Sequence, residues 1–191
     1  MTESSQAPRR RDPEGRRRDI LAAAAQLVVE NGASKLTHRA IAARAGVPLG
    51  STTQHFGSID EIREAALQLL AEEIDESLAR MAVYIDEVID HPDPLIDEFC
   101  LFLNDPRALN ADIALMTTAT TDPHLRALAL RWTNRLIDML VRTLGRERAT
   151  AIATYYDGVT LHAGLHEQPL ARETIKRTVQ ALMAMPDPAP H

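Results

Sequence analysis

Apolar residues recur at intervals of three and four along most of the chain, and the strict alternation of a half-buried strand persists nowhere. The first run sets Ile20, Ala24, Leu27 and Val28 on one face and stops at Gly32, a residue suited to ending a helix. A second, shorter run from Thr37 groups Ile41, Ala42 and Ala45 and ends at Gly46. Val47, Pro48, Leu49 and Gly50 follow, and a third short helix reaches about His55. Ser58-Ile59-Asp60-Glu61 has the form of a capping box, in which the serine accepts from a backbone amide and the glutamate reaches back. Ile62, Ala65, Ala66, Leu69, Leu70, Ile74, Leu78, Met81 and Ile85 then keep one apolar stripe to about Asp90. That pattern predicts a helix roughly 50 Å long at about 1.5 Å per residue, long enough to link two domains.

Asp-Pro pairs punctuate the remainder at Asp93-Pro94, Asp105-Pro106 and Asp122-Pro123. Aspartate is a good N-cap and proline suits the first helical position, so helices are predicted over about 93–104, 106–120 and 122–144. Gly145 closes the last of these, and two more helices follow over about 146–167 and 170–185, broken near Pro169. Pro186, Pro188 and Pro190 end ordered structure. The expected fold is therefore all-α, with about nine helices, three short and then six longer. The expected organisation is a disordered basic arm over 1–15, a helix-turn-helix domain over 16–60, a second helical domain over 61–185 and a disordered tail over 186–191.

Composition agrees with helices. Aromatics are 4% of the chain, so a 45% hydrophobic content must come from Ala, Leu, Ile, Val and Met. No membrane span is expected, because no window approaches about 18 uninterrupted apolar residues. The polar, Arg-rich start lacks the apolar segment of a secretory signal, and the single cysteine, Cys100, suits a reducing compartment. A cytoplasmic location is the expectation.

The net charge of −6 argues against nucleic acid only until its distribution is considered. Residues 1–56 carry nine basic and five acidic groups, a charge of +4; the rest carries 12 basic and 22 acidic groups, a charge of −10. A basic head on an acidic body meets phosphates with one end.

Residues 37–56 read THRAIAARAGVPLGSTTQHF, a short helix, a glycine turn and a second short helix. Ala42 and Ala45 let the two helices approach, and Ile41, Val47 and Phe56 supply a small core. The stretch from Arg18 to Leu67 resembles the tetracycline-repressor (TetR) family. The resemblance rests on Ile20-Leu21-Ala22-Ala23-Ala24, Gly32, Leu36-Thr37, Ile41-Ala42, Ala45-Gly46-Val47, Gly50-Ser51, His55-Phe56 and Ser58. It implies a dimeric, ligand-responsive transcriptional repressor that binds double-stranded operator DNA, and it implies DNA contacts at Thr37, His38, Arg39, Leu49, Gly50, Ser51, Thr53, Gln54 and His55. Thr37 would cap the second helix and touch phosphate. Arg39 has the chemistry to hold guanine with two bonds, and Gln54 that to hold adenine. Two positions depart from the family pattern: Thr53 stands where a tyrosine is common, and Ile59 where a lysine usually meets phosphate. The missing lysine should weaken affinity and its salt dependence, and Arg9, Arg10 and Arg11 in the arm are candidates to compensate.

The resemblance also implies that the second domain binds a small-molecule effector and forms a homodimer through its last two helices. Small and apolar residues suit a four-helix bundle between two copies, with packing inside one chain as the alternative: Ala149, Ile152, Ala153, Tyr156, Val159, Ala163 and Gly164 on one helix, Ile175, Val179, Leu182 and Met183 on the next. Candidate effector contacts are Phe99, Leu103, Met116, Thr120, Trp132, Arg135, Met139, Tyr155 and His162, with Phe102, Thr117 and Leu136 beside them, because apolar walls with a few polar groups suit small molecules. An inward Arg135 would need an acidic partner or an acidic effector. His162 and His166 stand four apart on a helix, but no glutamate follows the first as in HExxH, and no metal or cofactor is assigned. The alternatives are a DNA-binding adaptor without a small ligand and a helical enzyme. The chain has no GxSxG, Walker A, GxGxxG or CxxC motif, so no catalytic residue is assigned.

Overall fold

The computed structural model describes residues 12–166 and 168–186, among which there are nine α-helices and no strand. They are α1 (Pro13–Asn31), α2 (His38–Ala45), α3 (Leu49–His55), α4 (Ile59–Met81), α5 (Asp93–Leu103), α6 (Pro106–Thr121), α7 (Pro123–Leu144), α8 (Arg146–His166) and α9 (Arg172–Met183). The expected arginine arm over Arg9–Arg11 and the last five residues lie outside the described part.

Side-chain caps explain four of the helix starts. Asp12 caps α1 by accepting from the Gly15 amide at 2.9 Å, so α1 starts at Pro13, three residues before the expected boundary. Thr37 caps α2, accepting from the Ala40 amide at 3.2 Å. Ser58 caps α4 through the Glu61 amide at 3.1 Å, and the Glu61 carboxylate reaches back to the Gly57 amide at 2.6 Å. Asp105 caps α6 by accepting from two amides, those of Arg107 and Ala108.

Two expectations fail for tertiary reasons. The long helix ends at Met81, not near Asp90, so α4 is about 35 Å long rather than 50 Å. A single 3₁₀ turn follows at Ala82–Tyr84, yet Ile85 and Val88 remain buried. The apolar stripe therefore reports burial past the point where the helix stops. Asp93 is not an N-cap either. It is the first residue of α5, behind Pro92, and its carboxylate accepts from Lys176 at 2.8 Å and Arg172 at 2.7 Å on α9. Those two cations hold the Asp93 carboxyl below its ordinary range, Lys176 having the larger effect.

The buried side chains form two clusters. One joins Ile20, Val28, Ile41, Phe56, Ile62 and Leu70, from α1–α4, to Ala111, Ala114 and Leu115 of α6. The other joins Leu78 of α4 to α5, α7, α8 and α9 through Phe99, Leu136, Leu140, Tyr156 and Ile175. Trp132 on α7 packs against both. The cores thus do not divide at residue 60: α4 enters each of them, and α6 lies directly beneath the N-terminal head.

Candidate nucleic-acid interface and ligand groove

The turn between α2 and α3 depends on Gly46, which sits in the left-handed region at φ 64° and ψ 32°. One hydrogen-bond chain then locks the two helices. The Thr52 hydroxyl donates to the Leu49 carbonyl at 2.8 Å, so its oxygen is left to accept from His38 Nδ1 at 3.0 Å. That assignment places the His38 proton on Nδ1 and leaves Nε2 as the unused ring nitrogen.

Thr37, Arg39, Leu49, Gly50, Thr53 and Gln54 are exposed, and His38 and His55 are half-buried. Ser51 differs from expectation. It is 6% exposed and turns inward on α3 beside the fully buried Thr52, so it packs the helix rather than leading it. The Thr53 hydroxyl donates to the Gly50 carbonyl at 3.1 Å, which leaves its methyl group and lone pairs for other contacts.

The basic head is less free than its charge count implies. Arg44 is tied to Glu30 by two bonds, at 2.8 and 2.6 Å, which lower the Glu30 carboxyl and raise the Arg44 guanidinium. Arg17 lies over the Phe56 ring at 4.6 Å, a cation–π contact. Arg16, Lys35 and Arg39 make no ion pair among the described residues. Arg16 and Lys35 were not singled out from the sequence, because a charge count does not distinguish paired from unpaired cations.

The candidate effector residues divide into separate places. Phe99 and Leu103 are buried, and Trp132, Tyr155 and Met139 pack against the same core. Phe99 and Tyr156 have ring centroids 3.9 Å apart, and Trp132 meets Tyr156 edge-on at 6.4 Å. Most of the chain's few aromatics therefore fill one core instead of lining a cavity. The hydroxyls of Tyr155 and Tyr156 are buried there without a hydrogen-bond partner among the described residues, and burial pushes the Tyr156 phenol up. Arg135 is half exposed and does have an acidic partner, Asp75 on α4 at 3.3 Å, so it asks for no acidic effector. His162 is half-buried with its ring centroid 4.1 Å from that of His166, and no group of three metal-ligating side chains occurs among the described residues.

Only Met116 and Thr120, with Thr117, line an apolar groove between α6, α7 and α8. Its volume is about 370 Å³, within the range of small-molecule sites. Ile113, Ala129, Leu130 and Leu161 complete its apolar walls. Two acids missed in the sequence belong to this region. Asp157 lines the groove and accepts from the Thr133 hydroxyl at 3.2 Å. Burial raises its carboxyl, against the opposing effect of that bond. Asp112 is 8% exposed, and burial together with the Asp157 charge pushes it up to about 7. A signal existed in the sequence: Leu109, Asp112, Met116 and Ala119 follow helical spacing, which sets an acid on an apolar face.

The sequence profile of the bacterial regulatory proteins of the tetR family matches residues 20–66, and that of a tetracyclin repressor-like C-terminal domain matches residues 98–187. No curated protein matches the chain. Among solved structures, a member of the TetR family from Streptomyces coelicolor A3 is 29% identical, with a TM-score of 0.78 over 89% of this chain and 99% of that one. The multidrug binding protein EbrR complexed with proflavin is 30% identical, with a TM-score of 0.72 over 87% of this chain and 99% of that one. EbrR complexed with malachite green is 28% identical, with a TM-score of 0.76 and coverage of 89% and 99%.

Proposed function

The chain belongs to the TetR family of transcriptional regulators, and from that premise we propose that it is a dimeric repressor released from operator DNA by a small molecule. The observation that carries the reading is the joint placement of two features. An exposed Arg39, which makes no ion pair among the described residues, stands with Thr37 and Gln54 on the helix-turn-helix. The apolar groove lies on α6, which also packs under that head through Ala111, Ala114 and Leu115.

A ligand that prefers one arrangement of α6, α7 and α8 shifts the population toward it, and the shift reaches the recognition helix through the shared core. The groove favours this reading over an adaptor without a ligand. The ligands seen with EbrR, proflavin and malachite green, are the first compounds to try. The α8 and α9 residues expected to pair two copies, among them Ile152, Ala153, Val159, Ile175 and Val179, are instead buried in the core of a single chain, so support for a dimer comes from Leu165 at the end of α8, an apolar side chain 72% exposed. Two copies set two recognition helices on successive turns of one DNA face. The head offers DNA-binding chemistry, and no catalytic role is proposed for any residue.

The test is binding of the purified chain to its own upstream DNA, by fluorescence anisotropy across a salt series. Arg39→Ala is expected to weaken specific binding about tenfold, the loss of one bidentate base contact. Addition of proflavin to the wild-type complex is expected to release the DNA. Equal affinity for random DNA, or an Arg39→Ala variant that binds as the wild type does, overturns the reading.

A further inference from the structure

The groove between α6, α7 and α8 combines apolar walls with one acid, Asp157, that no cation among the described residues pairs with, and a second acid, Asp112, is buried close behind it. Asp157 stands in the wall, and its partner is the neutral hydroxyl of Thr133, at 3.2 and 3.4 Å from its two carboxylate oxygens. Asp112, adjacent on α6, is more than nine-tenths buried and has neither a hydrogen bond nor an ion pair among the described residues. The charge it feels is that of Asp157, which is of its own sign.

Two cations of α7 are turned away from the groove. Arg131 and Arg135 on α7 are committed to Asp75 of α4, at 2.5 and 3.3 Å. Arg126 lines the same groove from an exposed position, yet forms no ion pair with either acid. Taking a carboxylate out of water without a counter-charge is costly, and two adjacent carboxylates multiply that cost. Both acids are displaced toward their protonated forms, as uncompensated buried acids are.

We propose that the groove takes a lipophilic organic cation, with Asp157 as its counter-charge at the wall and Asp112 as a second acid behind it. The apolar walls recognise the body of the ligand and the acids recognise its charge. A neutral ligand would leave the acids uncompensated, and an anion would be repelled. The proposal rests on the ligand-responsive reading above and names the chemical class of the effector.

Two ions of nearly the same shape and opposite charge, tetraphenylphosphonium and tetraphenylborate, isolate the charge term. Each is titrated calorimetrically into the full chain without DNA. Wild type is compared with Asp157→Asn, Asp112→Asn and the control Glu98→Gln, whose acid lines a different groove beside α4 and α5. Tetraphenylphosphonium is expected to bind at least tenfold more tightly than tetraphenylborate. Each aspartate variant is expected to lose most of that preference, and Glu98→Gln to keep it. Equal binding of the two ions, no binding of the cation, or unchanged preference in both aspartate variants overturns the proposal. The comparison of ions in the wild type stands even if a variant folds poorly.

Operator binding is measured separately on the same preparations without ligand. A chain that binds operator but ignores tetraphenylphosphonium refutes the cation inference alone. A chain that binds the cation and shows no operator preference refutes the repressor reading alone.

Discussion

At the scale of single residues, burial decides what a side chain does. Ser51 and Thr53 are two apart on α3, yet one is packed and the other exposed. Asp112 shows the same dependence thermodynamically. Its folded carboxyl titrates at about 7, against about 3.9 for an unfolded aspartate. Between those values the folded chain keeps a proton that the unfolded chain has released. Stability therefore falls as pH rises from about 4 to 7, and the loss is complete above that. Asp112→Asn removes the penalty. It is expected to stabilise the protein at pH 8, by at most on the order of 4 kcal/mol, and to change little near pH 4. Urea unfolding of both proteins at the two pH values checks this, and an equal difference at both contradicts it.

At the scale of elements, caps were legible where one side chain and one amide suffice. Ser58 and Asp105 act as their spacing predicts, and Thr37 caps α2 as the family resemblance implies. Asp93 does not, because two cations from α9, some eighty residues away, outbid a local amide for its carboxylate. The α2–α3 turn depends on a single left-handed residue. A Cβ added to Gly46 meets no atom within 4 Å, so the cost of Gly46→Ala is purely conformational. It is expected to destabilise the chain by about 1–2 kcal/mol, with a smaller loss for Gly46→Asn, because asparagine tolerates the left-handed region. Thermal unfolding of the two variants gives the order directly.

At the scale of the whole molecule, α4, α6 and α7 each enter both cores, and Asp75 is the polar tie between α4 and α7. Arg131 is the more enclosed partner, with Nε and Nη2 buried and short of aligned hydrogen bonds, whereas Arg135 is half exposed. The two contacts should therefore differ in weight. Arg131→Gln is expected to destabilise by about 1–2 kcal/mol and Arg135→Gln by less than about 0.5 kcal/mol. The same variants test transmission: Arg131→Gln should reduce the ratio of operator affinities without and with ligand, and Arg135→Gln should leave it near wild type. Anisotropy with and without ligand measures that ratio, and equal effects of the two substitutions would remove the distinction.

The sequence by itself determined the all-helical class, the helix-turn-helix register and the family, because these rest on local spacing, capping and glycine turns that act within a few residues. The exposure of Thr37, Arg39 and Gln54, the positions proposed to read DNA, was legible too, since their helices are short and one face of each is consumed by a small core. The tertiary structure decided where α4 stops, which arginines of the head are already paired, and which candidate pocket residues are core. It also decided that Asp157 of α8 lines a groove and that Asp112 of α6, buried nearby, feels its charge. Such facts depend on which helices meet across long separations, and hydrophobic periodicity records that a face is buried without recording against what.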